Sequence, residues 1–397
     1  MQSTLATLTR LPNYPRLSLA VLLVGLSTSV AGPYIPLFAS TQAHMAPLPL
    51  GIFMTLLAMS GVLISLLLGR WSDRLPNRKP MVLLAVGAAA TGFLLLCVTR
   101  SYVPLLLIVC VFLGTGAASF PQLFALAKSQ LQGADPQASE HGITTLRSVF
   151  SLAWVVGPGL GALLVGNERY NTLFLTTATL YAATALMVLW ARTPPAVSHS
   201  SSAKPLPVSG PQIALWKIVT SFVLYGTSLS MGALALPLYV THVLHGTTGQ
   251  VGFLLGLCAL LEIPIMLSFV FLPRRFSTHS LIVFAFALLA LYFVMLWAAP
   301  GMVVLAIAQL LRAIVIAIAA SLGMTYFQSL MPGRIGAATT LFANTTSIGS
   351  MLAGVVSGGF AQAFGYRSVF LVCGVFTLLA WGLLYSAGRR ATRAQQG

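Results

Sequence analysis

Apolar residues run along this chain in twelve helix-length stretches separated by short polar, Gly or Pro groups: 17–40, 48–69, 80–98, 102–130, 143–166, 171–191, 213–240, 248–272, 279–298, 301–330, 337–361 and 367–387. A run of about 20 apolar residues is long enough to cross a hydrocarbon core. A helix is the form it takes there, because lipid offers its backbone groups no other partners. The pattern predicts an all-α membrane protein with twelve transmembrane helices. The first run is longer than a secretory signal core and no small-residue cleavage pattern follows it, so it reads as a span. Charged residues make up only 7% of the chain, against roughly 25% in soluble domains, which agrees with this class.

The stretches fall into two copies of six. At an offset of 201 residues, Gly25-Leu-Ser27-Thr-Ser29 overlies Gly226-Thr-Ser228-Leu-Ser230, and Pro36-Leu37-Phe38 overlies Pro237-Leu238-Tyr239. The same offset pairs His44 with His245, Gly51 with Gly252 and Arg74 with Arg275, and an offset of 195 pairs Thr144-Thr145-Leu146 with Thr339-Thr340-Leu341. Six spans per copy start both copies on the same side of the membrane. They are therefore parallel repeats, an arrangement that places a site near the midplane. The expected organisation is a six-helix bundle over 1–191, a linker over 192–211 and a second bundle over 212–397. The linker is rich in Pro and Ser and cannot bury a core, which makes it a tether.

The net charge of +16 would fit a nucleic-acid partner if it were clustered, but it is dispersed between spans. With both termini inside, Arg10, Arg16, Arg70, Arg74, Arg78, Lys79, Lys128, Arg192, Lys204, Lys217, Arg274, Arg275, Arg334, Arg389, Arg390 and Arg393 collect on the cytoplasmic face, and Arg100, Arg169 and Arg367 on the other. That asymmetry is the one that orients polytopic proteins, and it predicts cytoplasmic termini. Cys97, Cys110, Cys258 and Cys373 all fall within spans, so neither a disulfide framework nor a metal site is expected, and no cofactor motif is present.

Three groups of residues carry a family resemblance. Between the second and third spans, Gly69-Arg-Trp-Ser-Asp73-Arg74-Leu-Pro-Asn-Arg78-Lys79 resembles the signature loop of the major facilitator superfamily, with Pro76 where that family usually has Gly. In the fifth span, Gly157-Pro158-Gly159-Leu-Gly161 is similar to the Gly-Pro motif of antiporters in that superfamily. The segments Pro121-Gln122, Ser151-Leu-Ala-Trp154, Leu261-Glu262-Ile-Pro264 and Phe327 through Asn344 resemble its sugar efflux transporter branch. The resemblance covers essentially the whole chain. It implies proton-driven export of sugars or glycosides across a bacterial inner membrane by a chain that works as a monomer. It also implies a gating role for Gly69, Asp73, Arg74 and Arg78. On physical grounds Asp73, near a helix end, is placed to accept from the N-terminus of a neighbouring helix.

Polar residues inside the spans are the candidate site. Glu262 is the one acid of the chain's five that stands mid-span, where a carboxylate is costly unless paired or protonated. Proton carriage is the functional reading, and a permanently neutral or hydrogen-bonded structural carboxyl is the alternative. Arg312 stands at similar depth two spans later, and a buried Arg needs a carboxylate or a wet cavity. A Glu262–Arg312 pair is therefore expected, both residues serving proton coupling and substrate contact. In the fifth span, helical spacing aligns Arg147, Ser151, Trp154 and Pro158 on one face, where a cation, a hydroxyl and an indole suit a sugar. Snorkelling of Arg147 and plain packing of Trp154 would explain the same residues. Gln122, Tyr225 and Asn344 can donate and accept, as sugar hydroxyls require, or can bind helix to helix. Gly157 and Gly161, four apart, permit close helix approach, and Pro158 frees a backbone carbonyl. Ser27 and Ser228 sit at equivalent repeat positions, which argues for shared packing.

Two other functions are compatible with a twelve-span chain. An intramembrane hydrolase using Ser228 would need a base, and every His lies in a loop or at a span end. A multidrug/proton antiporter would share the acid in the span, but two arginines in the cavity disfavour the cationic compounds such proteins export.

Overall fold

The computed structural model describes residues 13–75, 77–131, 136–166, 168–191, 212–268, 277–331 and 334–394. Its twelve long apolar helices are α1 Tyr14–Thr41, α2 Pro47–Arg74, α3 Lys79–Val98, α4 Tyr102–Leu131, α5 His141–Val165, α6 Tyr170–Trp190, α7 Leu215–Val243, α8 Thr248–Met266, α9 Thr278–Ala298, α10 Met302–Leu330, α11 Gly336–Phe364 and α12 Tyr366–Ala387. Each matches one predicted stretch, and the all-α, twelve-span class holds. The predicted linker, with Lys204, lies outside the described residues, as do Pro76, Asp135 and Arg274–Arg275.

Not every helix is regular. Gly32–Tyr34, which contains Pro33, tightens α1 into a 3₁₀ turn shortly before Pro36. Wide π turns occupy Val109–Leu113 in α4 and Tyr239–Val243 at the end of α7, the second starting two residues after Pro237. A proline lacks the N–H that would continue the regular ladder, and the backbone nearby adopts a different pitch.

The helices divide into two compact units, one of residues 1–44 and 56–203, the other of 45–55 and 204–397. The first turns of α2 therefore cluster with the second unit. There Gly51 lies against Gly354 and Gly358 of α11, and the Val355 N–H donates to Thr55 Oγ1 at 2.9 Å.

Each unit repeats the same packing. In the first, α1 packs on α5 and α6, and α3 on α6; in the second, α7 packs on α11 and α12, and α9 on α12. The close crossings are equivalent too: Gly25 of α1 meets Phe150 and Ala153 of α5, while Gly226 of α7 meets Thr345, Thr346 and Gly349 of α11. Ser27 and Ser228 are both fully buried and donate to the carbonyl four residues back, at 2.7 and 2.9 Å. His44 and His245, also equivalent, both take left-handed backbone angles, with φ 50° and 52°. That conformation is uncommon outside Gly, and its recurrence at matched positions carries the duplication into the backbone.

Helix ends in the first unit are satisfied by cations. Arg16 donates to the Trp190 carbonyl at 2.8 Å and Lys79 to the Leu189 carbonyl at 2.9 Å. Two positive charges thereby sit at the negative end of α6, where the dipole favours them.

Candidate functional site

The described spans place few charges in their apolar middle, and Glu262 and Arg312 share one region of the second unit. Glu262 is carried by α8 and Arg312 by α10, two helices packed side by side. Both are partly buried. They lie within electrostatic range of each other, and Tyr225 of α7 is within range of both. Three residues singled out by sequence thus converge from three helices.

The expected direct Glu262–Arg312 bridge is absent. Among the described residues, the one ion pair within 4.0 Å joins Arg78 and Asp73. Arg312 Nη1 instead points back along its own helix to Gln309 Oε1, at 3.5 Å. Gln309 is fully buried and donates from Nε2 to the Leu305 carbonyl at 3.3 Å. The hydroxyl of buried Tyr292, on α9, faces the Gln309 side chain. The physical reason for the correction is local geometry: residues three apart on a helix are neighbours, and the amide reaches the guanidinium without crossing to another helix. Tyr292, Gln309 and Cys258 were not among the expected site residues. Cys258 stands one turn before Glu262 and Gln309 one turn before Arg312, so helical spacing from the two charges would have found both.

In the first unit, a cavity of about 250 Å³ is walled mainly by apolar groups, with Phe93, Phe120, Trp154 and Tyr181 among them and the hydroxyl-bearing Ser27 and Thr28 on one side. The predicted stripe on α5 divides. Arg147, Ser151 and Trp154 are exposed, with Trp154 39% accessible, whereas Pro158 turns inward. Gln122 of α4 is buried, and its side-chain oxygen has no hydrogen-bond partner among the described residues. Asn344 is exposed on α11.

The Gly-Pro segment is a packing surface. Gly157 and Gly161 face α1 so closely that a side-chain carbon at either would overlap Ser29 or Val30 and Tyr34. Ser29 Oγ donates to the Ala153 carbonyl at 2.8 Å and Tyr34 Oη to the Pro158 carbonyl at 2.5 Å. Gly159, between them, faces open space.

In the signature loop, Asp73 takes Arg78 Nη2 at 2.7 Å rather than the N-terminus of a neighbouring helix. The turn after α2 returns the chain within reach, and Asn77 Oδ1 accepts from the Lys79 N–H at 2.9 Å as α3 begins. Asp73 remains largely exposed, so the pair is worth at most about 1 kcal/mol. Arg74 closes α2, and Gly69 has no atom crowding it.

The chain matches the Major Facilitator Superfamily over residues 17–344 and 218–397. It is 46% identical over 385 residues to a putative sugar efflux transporter of Deinococcus radiodurans, covering 96% of this chain and 99% of that protein. It is 31% identical to sugar efflux transporter A of Escherichia coli, over 92% and 94% of the two chains. Among solved structures, the nucleoside transporter NupG superposes with a TM-score of 0.79 at 13% identity, covering 94% of this chain and 98% of that one. At that identity the likeness is one of fold.

Proposed function

The chain belongs to the major facilitator superfamily, and from that premise we propose that this transporter exports sugars or glycosides from a bacterial cytoplasm by proton antiport. The family is one of multi-pass membrane transporters and not of enzymes. The substrate class rests on full-length relatives named for sugar efflux. The location follows as the inner membrane, with both termini cytoplasmic by the distribution of Lys and Arg.

One observation carries the coupling: an acid and a cation in the apolar middle of adjacent helices, close enough to feel each other yet not in contact. A carboxylate so placed is attracted to Arg312, and a protonated one is not. Proton uptake by Glu262 therefore changes the relative stability of two arrangements of α8 and α10. A ligand or proton shifts a conformational equilibrium only through such a difference in interaction. Alternating access follows if the two arrangements open to opposite sides.

Each unit carries its own candidate sugar contacts. Trp154 offers an aromatic face to the cavity of the first. Tyr225, Arg312 and Glu262 offer polar groups in the second. Gln122, Arg147 and Asn344 complete the candidate set, and Asp73 with Arg78 supplies the gating contact. The chain acts as a monomer with no cofactor.

The test is efflux from vesicles preloaded with labelled mono- and disaccharides, with and without an imposed pH gradient, beside a panel of cationic dyes. Gradient-stimulated sugar efflux is expected. Gradient-driven efflux of the dyes alone would replace this reading with multidrug antiport.

A further inference from the structure

We propose that Gln309, held by Tyr292, is a positioning residue that keeps the Arg312 guanidinium off the Glu262 carboxylate and so leaves that carboxylate free to exchange a proton. The inference rests on the reading of Glu262 as the proton carrier.

The geometry is a short polar chain across α9 and α10. Tyr292 is buried on α9, and its hydroxyl faces the Gln309 amide. Gln309 is anchored by its own helix through the 3.3 Å bond to the Leu305 carbonyl. Its oxygen then takes Arg312 Nη1 at 3.5 Å. No solvent competes for the amide, because Gln309 is fully buried. The acceptor is therefore fixed in place, and it draws Arg312 toward its own helix.

Among the described residues, the titratable groups within electrostatic range of the pair belong to this arrangement. Glu262 is faced by Arg312 from α10, by Tyr225 from α7 and by Cys258 from its own helix. Arg312 is faced by Tyr292 from α9, by Cys258 and Glu262 from α8, and by Tyr225 from α7. Cys373 of α12 faces Tyr292. Among these groups Arg312 is the one permanent cation, so its distance is what sets how firmly Glu262 keeps its charge.

Physical chemistry explains why the distance matters. A guanidinium in contact with a carboxylate stabilises the charged form strongly, by about 1–3 pH units in titration. Such a carboxylate stays ionised through the physiological range and carries nothing. Held one amide away, Arg312 still attracts the carboxylate without fixing it.

The experiment uses the full-length protein in liposomes and infrared difference titration of the protonated-carboxyl band that is lost in Glu262→Gln. In Gln309→Leu the guanidinium loses its acceptor and moves toward Glu262, so the band's midpoint falls by about 1 pH unit. In Gln309→Glu the new carboxylate captures Arg312, and the midpoint rises. Tyr292→Phe gives a smaller fall than Gln309→Leu, with the amide less firmly oriented. Opposite shifts from two substitutions at one buried site are not what loss of packing produces. A midpoint that is unmoved, or moved the same way by Gln309→Leu and Gln309→Glu, overturns the proposal while leaving Glu262 as the carrier. Absence of any band dependent on Glu262 overturns the carrier reading and the proposal together.

Discussion

Glu262 bears the heaviest demand of any single side chain here, since an acid amid apolar helices must either be neutral or be answered by positive charge. Replacing it with Gln mimics the protonated form permanently. Glu262→Gln is expected to abolish transport driven by a pH gradient while sugar counterflow persists, and gradient dependence retained in that variant would make the residue structural. Arg312→Ala removes the answering charge, and the effects of the two substitutions on thermal stability should not add. A double-mutant cycle in detergent should return an interaction of at least about 0.5 kcal/mol, and strict additivity would show that the two residues do not sense each other. These two charges were legible in the sequence because a charge in an apolar run stands out from everything around it. Their partners were not. Gln309 and Tyr292 carry no charge to mark them, and nothing but a three-residue spacing to Arg312 or contact between α9 and α10 ties them to it. Asp73 was misread for a similar reason: the turn through Asn77 brings Arg78 back to it, a detail of loop path that the motif does not state.

At the scale of helices, the crossing of α1 and α5 makes a contrast that can be measured. Gly157 has no room for a side chain, whereas Gly159 does. Gly157→Ala should lower stability by about 1–3 kcal/mol through overpacking against Ser29. Gly159→Ala should be neutral or slightly stabilising, as Ala is the better helix former by about 1 kcal/mol. Tyr34→Phe, which deletes the bond to the Pro158 carbonyl, should cost about 0.5–1.5 kcal/mol. Thermal melts in detergent rank the three; equal effects at Gly157 and Gly159 would mean that the crossing is not held by close approach. The sequence located all twelve spans from hydropathy, because the bilayer demands a minimum apolar length of every span. The irregular turns at Gly32–Tyr34, Val109–Leu113 and Tyr239–Val243 escaped it. Such local changes of pitch answer to packing as much as to composition.

Over the whole molecule, duplication was written plainly in the chain and recurs in matched crossings, matched buried serines and matched left-handed histidines. Hydropathy does not encode which helices cluster, and residues 45–55, at the start of α2, join the second unit. The orientation rests on charge. A cysteine introduced at Lys204 should resist an impermeant thiol reagent added outside intact cells, and ready labelling there would invert the topology. The function proposed at this scale is exchange of sugar for protons, and one measurement addresses it directly. Purified protein is placed in liposomes holding a luminal pH dye and a labelled disaccharide that the efflux panel shows to be carried, with no pH gradient at the start. Dilution lets the sugar leave down its own gradient. Outward sugar flux coupled to inward proton flux should acidify the lumen, and Glu262→Gln should leave the luminal pH unchanged while still exchanging sugar. Sugar efflux with no luminal acidification in the unsubstituted protein, or the same acidification in Glu262→Gln, would contradict proton antiport through this residue.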